Sequence, residues 1–331
     1  MPAPLYWYNP PSAPGWQAHA LSPLGAIYGA LTKLRLARGQ PYKANVPVIC
    51  IGNINVGGTG KTPTTIALTE RLIAAGHTPH IVSRGYGGSL TGPIRVDPNS
   101  HTAAEVGDEP LLLAAFAPAW IAKDRAAGVK AAADAGASVI LMDDGFQNPS
   151  VFKDVSIVVV DAHRGFGNGR VIPAGPLREP VRAGLNRADA VLSIGAAQTQ
   201  DRFASLWPID IPHLTGQIHP LLTGMPWQDL PVLAFAGIGH PEKFFQTLEA
   251  VGANIVSRQA LEDHEPLTPA LMARLEATAK ARSAQLVTTE KDAARLPSAF
   301  RAKVLTLPVR LVVADWGPID AKLDALGIKM S

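Results

Sequence analysis

Asn55–Pro63 reads NVGGTGKTP. It has the grammar of a phosphate-cradling loop, GxxxxGK[ST], with an asparagine where the first glycine belongs. Glycines at Gly57, Gly58 and Gly60 let backbone N–H groups turn inward on phosphate oxygens, an approach that a Cβ would obstruct. Lys61 reaches the terminal phosphates, and the Thr62 hydroxyl can ligate Mg2+. Asparagine tolerates left-handed backbone, so Asn55 is expected to keep the special geometry of the first position. Pro63 falls in the first turn of the following helix, where a missing N–H costs little.

The surroundings are those of such a loop. VPVICIGNI before it reads as a strand, and Lys61 to about Gly76 as a helix. PHIVS, SVILMDD, VSIVVVD and AVLSIG follow as short apolar runs alternating with helical stretches. The fold class expected is α/β: a P-loop NTPase-like, mostly parallel sheet with helices on both faces, plus a second smaller α/β domain. Its functional loops should gather at the carboxyl ends of the strands. Asp201 to Leu230 is proline-rich with weak periodicity and reads as a linker or long loop. PVLAFAGIG then opens a second run of strands and helices. The expected division is 1–45, a basic and aromatic N-terminal segment; 46–227, the phosphate-loop domain; and 228–331, the smaller domain.

A chain of 331 residues with 47% hydrophobic and 17% charged residues suits a folded soluble protein and argues against disorder. The one cysteine, Cys50, has no partner for an internal disulfide, which fits a reducing compartment. No apolar run approaches the length of a membrane span, and the N-terminus lacks signal-peptide grammar, so a cytoplasmic location is expected. Net charge is +3, unevenly spread. No Asp or Glu precedes Glu70, while Lys33, Arg35, Arg38 and Lys43 fall in that segment with Tyr6, Trp7, Tyr8 and Trp16. Such an end suits an anionic partner: a membrane surface, a phosphorylated lipid or a nucleic acid. Ser22-Pro23 reads as a helix start and Gly39 as its stop, with Leu24, Ile27, Tyr28, Leu31 and Leu34 at helical spacing between them. That helix either packs on the core or lies in a membrane interface.

A phosphate loop wants a carboxylate at the end of a neighbouring strand to complete a metal site, and SVILMDDGFQ supplies Asp143 and Asp144. Three further clusters look chemical. GDEP, Gly107 to Pro110, places acids in a loop where one could take an acceptor hydroxyl's proton. DAHRGFGNGRVIPAGPLREP, Asp161 to Pro180, leads into a basic stretch with Arg164, Arg170, Arg178 and Arg182, a candidate phosphate clamp. EDHEP, Glu262 to Pro266, sets a histidine beside acids. NRAD, Asn186 to Asp189, resembles a guanine-recognition motif but precedes its strand, and is discounted. On the residues alone a switch or motor ATPase stays open, as does a peripheral lipid-binding module without transfer activity.

Taken together, GNINVGGTGKTP, SRGYGG, GDEP, MDDGFQ, GFGNGRVIPAGPLREP, GIGHPEKFF, DH and TTEKDA resemble the tetraacyldisaccharide 4'-kinase family of lipid A biosynthesis, in family order from about residue 52 to residue 293. The resemblance implies a kinase that transfers the γ-phosphate of ATP, with Mg2+, to the 4'-hydroxyl of a tetraacylated glucosamine disaccharide 1-phosphate. It implies a peripheral enzyme on the cytoplasmic face of the bacterial inner membrane. The implied partners are that phosphorylated, acylated disaccharide and an anionic membrane surface, with no nucleic acid; no obligate protein partner is evident.

By matching motifs, Asn55, Val56, Gly57, Gly58, Thr59, Gly60, Lys61 and Thr62 hold ATP, and Thr62, Asp143 and Asp144 the metal. Asp108 resembles the catalytic carboxylate, paired with His264, with Lys61 also catalytic. Glu109, Arg125, Gln147 and Arg178 resemble active-site or substrate contacts. Where the family commonly has a histidine after DDGFQ, this chain has Asn148-Pro149.

Overall fold

The strand before the phosphate loop, β1 (Val48–Gly52), is apolar along its whole length and buried on both faces, as a central parallel strand must be. The computed structural model describes residues 3–221, 223–262 and 265–330. Its further strands are β2 (Pro79–Ser83), β3 (Ile94–Arg95), β4 (Ala119–Ile121), β5 (Val139–Asp143), β6 (Val155–Asp161), β7 (Ala190–Ile194), β8 (His213–Pro220), β9 (Pro231–Ala236), β10 (Asn254–Ala260), β11 (Gln285–Thr289), β12 (Val304–Leu307) and β13 (Val309–Val313). They form a nine-stranded sheet in the order β13-β8-β7-β6-β1-β5-β2-β4-β3 and a four-stranded sheet in the order β10-β9-β11-β12. Pairing is parallel throughout except for the two edge strands of the larger sheet, β3 against β4 and β13 against β8.

Helices cover both faces of each sheet. Ile66, Leu68 and Leu72 of the helix Lys61–Ala74 pack with Ile49, Ile51 and Leu141 on one face of the larger sheet, together with Leu111 and Leu113 of the helix Asp108–Leu113. Val129 and Ala132 of Arg125–Asp134 cover Cys50, Ile140 and Met142 on the other. Each such fully buried aliphatic side chain contributes about 1.5–3 kcal/mol relative to exposure. The smaller sheet is flanked by Pro241–Ala250 on one face and Pro269–Ala281 on the other.

Three sequence expectations change. The stretch read as linker takes in the later part of the helix Ala197–Leu206 and the strand β8. The strand HLTGQIHP was hidden by its polarity, because several of its side chains stay partly or fully exposed near the edge of the sheet. VLTLPVRLVV is two strands in different sheets, split at Pro308. The chain from 309 onward therefore leaves the smaller sheet: β13 pairs with β8, and Ile319 and Leu323 of the helix Gly317–Ala325 enter the larger core.

The N-terminal helix spans Trp16–Ala37, so it starts earlier than Ser22 and keeps Pro23 inside its second turn, where Ser22 Oγ donates to the Ala18 carbonyl at 2.6 Å. It docks through small residues. A Cβ on Gly25 would stand 2.7 Å from the Val171 carbonyl oxygen, which is why glycine occupies that place. Leu24, Ile27, Tyr28, Leu31 and Leu34 are all exposed, with Ile27 and Leu31 at 57% and 61%. Among the described residues, no helix is long and apolar enough to cross a membrane.

Candidate active site

β1 ends at Gly52 and the chain turns through residues 53–60 into the helix Lys61–Ala74. Gly60 forms the N-cap in left-handed conformation, φ +99°, and a Cβ there would stand 2.5 Å from Ile194 Cδ1. The left-handed backbone is what demands glycine there. A Cβ at Gly57 or Gly58 would meet nothing within 4 Å, so this side of the loop opens outward. The helix N-terminus behind it presents unpaired N–H groups and a positive dipole end, a ready anion site. The loop is braced from within by Asn53, whose Nδ2 donates to the Gly57 carbonyl (3.2 Å) and Thr59 Oγ1 (3.1 Å).

Asn55 corrects the sequence reading. It is absent from the positive-φ residues, so it does not occupy a left-handed position. Its buried side chain donates from Nδ2 to the Gly165 carbonyl at 3.0 Å. The backbone joins in: Val56 N–H donates to the Pro176 carbonyl at 2.8 Å, and Arg178 N–H to the Ile54 carbonyl at 2.7 Å. The first half of the phosphate loop is thus tied to the segment 165–178.

Lys61 points towards the end of β5, with Nζ 3.8 Å from Asp144 Oδ2. Asp144 adopts φ +54°, which turns its side chain out of the strand's alternation. Arg178 Nη1 reaches Asp144 Oδ1 and Gln147 Oε1, both at 3.2 Å. Gln147 Nε2 donates to the Asn53 carbonyl (2.8 Å) and to Glu179 Oε1 (3.0 Å). Both oxygens of buried Glu179 in turn accept from Arg187 Nη2, at 2.7 and 2.6 Å.

Asp143 is buried and accepts from Thr65 Oγ1 at 3.3 Å. Burial pushes its carboxyl up to about 7, with the Glu109 and Asp144 charges adding to the rise and Lys61 opposing it. Arg125 is also buried, with Nη1 donating to the Ala122 carbonyl at 2.9 Å. Burial pulls its guanidinium down to about 10, against the support of Asp143 and Asp144 and with the like charge of Arg84 nearby. It stays cationic at neutral pH.

GDEP begins the helix Asp108–Leu113, so both acids sit in its first turn. Asp108 is buried, and Glu109 Oε1 lies 3.7 Å from Lys291 Nζ of the TTEKDA segment. His264 lies outside the described residues.

The structure therefore brings together Lys61, Asp143, Asp144, Gln147, Arg178, Glu109 and Arg125, with Thr62 beside them in the first helical turn. It does not assemble the four arginines into one clamp. Arg178 faces the carboxylates, Arg164 bonds to the Tyr8 hydroxyl, Arg170 to Ser22 Oγ, and Arg182 is exposed. The loop is too long for a single focus and instead fastens the N-terminal segment: Tyr6 Oη and Trp7 Nε1 both donate to the Pro173 carbonyl. Asp189 of NRAD caps β6 by accepting from Ser156 N–H and pairs with Lys322. Sequence reasoning missed Asn53, Thr65, Arg84 and Glu179. Thr65 was accessible from its i+4 relation to Lys61 and Glu179 from its place in PLREP; Asn53 and Arg84 stand in GNINVGGTGKTP and SRGYGG, stretches that the sequence reading used only for the family resemblance.

The chain resembles known proteins over nearly its whole length. A family model described as Tetraacyldisaccharide-1-P 4'-kinase, LpxK, matches residues 17–327. A Tetraacyldisaccharide 4'-kinase of Dinoroseobacter shibae is 60% identical over 329 residues, 98% of either chain. One of Jannaschia sp. is 60% identical over 326 residues, again 98% of each. A solved structure described as an apo form of LpxK from Aquifex aeolicus in complex with ATP shares the fold, with a TM-score of 0.76 and 24% identity over 93% of this chain and 99% of that one. Phosphate-loop geometry, a two-sheet α/β fold and near full-length matches agree: the chain belongs to the tetraacyldisaccharide-1-P 4'-kinase family.

Proposed function

We propose that the chain transfers the γ-phosphate of ATP to the 4'-hydroxyl of a tetraacyldisaccharide 1-phosphate, giving lipid IVA in lipid A biosynthesis. One observation carries the reading: in a chain of this family, Lys61 at the end of the outward-facing phosphate loop stands beside Asp144 at the end of β5, and Arg178 pairs with the same carboxylate. That the fold neighbour from Aquifex aeolicus is in complex with ATP supports ATP as donor.

Transfer is direct and in line. Lys61 and the N–H groups of residues 57–62 neutralise charge developing on the phosphate oxygens. Asp108 accepts the sugar hydroxyl's proton, and His264 is assigned by its motif to orient or tune it. Arg178 acts on phosphate directly, while Arg125 and Gln147, each bonded to backbone carbonyls, hold the site from behind.

Mg2+ fits the donor set. Thr62, Asp143 and Asp144 offer hard oxygens, and buried Asp143, whose carboxyl is raised to about 7 by burial and by the charges of Glu109 and Asp144, is a group whose charged form a divalent cation would favour. These three residues would hold it, and when bound it would supply neutralisation of phosphate charge.

The protein works as a peripheral enzyme on the cytoplasmic face of the inner membrane. The outward apolar row of the N-terminal helix, with exposed Lys33, Arg35 and Arg38 at its end, supports contact with anionic lipid. Between that helix and residues 169–187 opens a cavity of about 860 Å³, walled by Gly25, Gly29, Ala30 and Val171 with Lys33 and Arg170 on its lining. An acylated, phosphorylated acceptor suits such a space.

Incubation with γ-labelled ATP, Mg2+ and the disaccharide 1-phosphate in detergent tests the proposal. Label in a lipid product is expected; label only in free phosphate would make the protein an ATPase.

A further inference from the structure

On the flank of the phosphate loop away from β5, four basic residues lie close to one acid, Asp161: Lys243 meets it by its side chain, His163 and Arg164 by their backbone, and His240 feels its charge. His163 and Arg164 follow β6; His240 lies in the loop after β9, and Lys243 in the first turn of Pro241–Ala250. Carboxyl-end loops of both sheets thus contribute, where open α/β sheets take their ligands.

The acid is already committed. Asp161 Oδ1 accepts from the His163 N–H, and Oδ2 from the Lys243 ammonium, both at 2.9 Å. Arg164 is pre-set: Nη1 donates to the Tyr8 hydroxyl at 3.2 Å, and the guanidinium lies 4.6 Å over the Tyr8 ring. Held by one edge and one face, it loses less freedom on gripping a ligand. Burial and the charges of Arg164 and Lys243 lower the proton affinity of His240, with Asp161 opposing and His163 adding to the effect. The two cations Arg164 and Lys243, set against the one carboxylate of Asp161, leave a net positive charge that attracts an anion.

The cluster is firmly joined to the phosphate loop, because Asn55 Nδ2 bonds to the carbonyl of Gly165, the residue after Arg164. It is also set apart from the carboxylate flank. β6 and β5 lie on opposite sides of β1, two strand spacings or about 10 Å apart.

We propose that His163, Arg164, His240 and Lys243 form a second phosphate subsite, separate from the phosphate loop. It grips a phosphate group whose source is either the acceptor's 1-phosphate or the nucleotide. The inference rests on the proposed transfer reaction.

The test uses Arg164→Gln and His240→Gln in the full chain, with Lys303→Gln, remote on the smaller sheet, as a control for bulk charge. KM is measured separately for ATP and acceptor, alongside melting. Ring signals of His240 are followed by NMR as glucosamine 1-phosphate or inorganic phosphate is added.

Loss of one charge-assisted contact should raise one KM about tenfold or more while kcat stays within about threefold. A rise for the acceptor identifies its 1-phosphate as the source, and a rise for ATP identifies the nucleotide. Both KM values within about twofold of wild type, in variants that melt like wild type, overturn the subsite. If wild-type protein fails to phosphorylate the acceptor, the proposed function falls, and the titration decides the subsite alone. Saturable movement of the His240 signals that is lost in Arg164→Gln keeps it; no movement up to about 10 mM removes it.

Discussion

The Lys61 ammonium stands 3.8 Å from Asp144 Oδ2, close enough for attraction and too far for a good hydrogen bond. Asp144 meanwhile accepts from Arg178 at 3.2 Å. The lysine is therefore held near the mouth of the phosphate loop without being spent on a tight partner. Lys61→Ala should lower kcat by roughly 10²–10³, the usual loss for one preorganised charge stabiliser, and should shift melting little. Single-turnover transfer and a melting curve on the same preparation check both halves. A large drop in melting temperature would make Lys61 a structural residue.

Asp143 gives the stability a pH slope of known sign. Its folded-state affinity sits near 7 against an ordinary value of 3.8, so between those values the folded protein binds more protons than the unfolded chain. Stability from this group is full below the ordinary value and is lost as pH rises through about 7. Asp143→Asn should therefore be nearly inactive yet melt higher than wild type at about pH 8, with a flatter slope from about pH 5 upward. Parallel slopes in the two proteins would refute the raised affinity.

Asn55→Gly restores the usual first glycine and should still harm the protein. The substitution deletes the bond to the Gly165 carbonyl and leaves that acceptor buried. A loss of about 1–3 kcal/mol is expected in chemical denaturation. ATP binding should weaken, not improve, as the loop loses its brace.

Cys50 is fully buried, and burial pushes its thiol up to about 11. Alkylation near neutral pH should wait for unfolding, since neither access nor thiolate is available. Iodoacetamide labelling followed by mass spectrometry, with and without denaturant, reads this directly. Rapid labelling of native protein would contradict it.

Membrane contact is best probed by side chains rather than truncation. Cutting residues 1–38 would also remove the Tyr6 and Trp7 anchors to Pro173. Ile27→Gln with Leu31→Gln alters only exposed groups, so fold and soluble nucleotide binding should persist. Co-sedimentation with anionic vesicles should fall about tenfold. Unchanged sedimentation would assign membrane contact elsewhere or nowhere.

Signals confined to one segment were legible in the sequence. The glycines with Lys61, the apolar run ending at Asp143, and the strand-helix alternation each follow from local chemistry. What could not be read was contact between distant segments. Nothing in NVGGTGKTP announces that Asn55 reaches residue 165, and an asparagine that tolerates left-handed backbone looks the same as one that holds a carbonyl. Arg178 could be chosen from four arginines only by resemblance, since the pairing with Asp144 spans two strands. Pro308 looked like a blemish in one strand because sheet membership is decided by partners, not by the strand's own residues.

The return of β13 to the larger sheet has a practical consequence for dissecting the molecule. The four-stranded sheet is an insertion, entered and left through two neighbouring crossings where Leu221 N–H bonds to the Pro308 carbonyl at 2.8 Å. A stop codon near residue 228 would not release a trimmed catalytic body. It would strip β13 and leave β8 as a bare, sticky border open to other chains. Excising 223–307 and bridging the gap with a short turn respects the architecture.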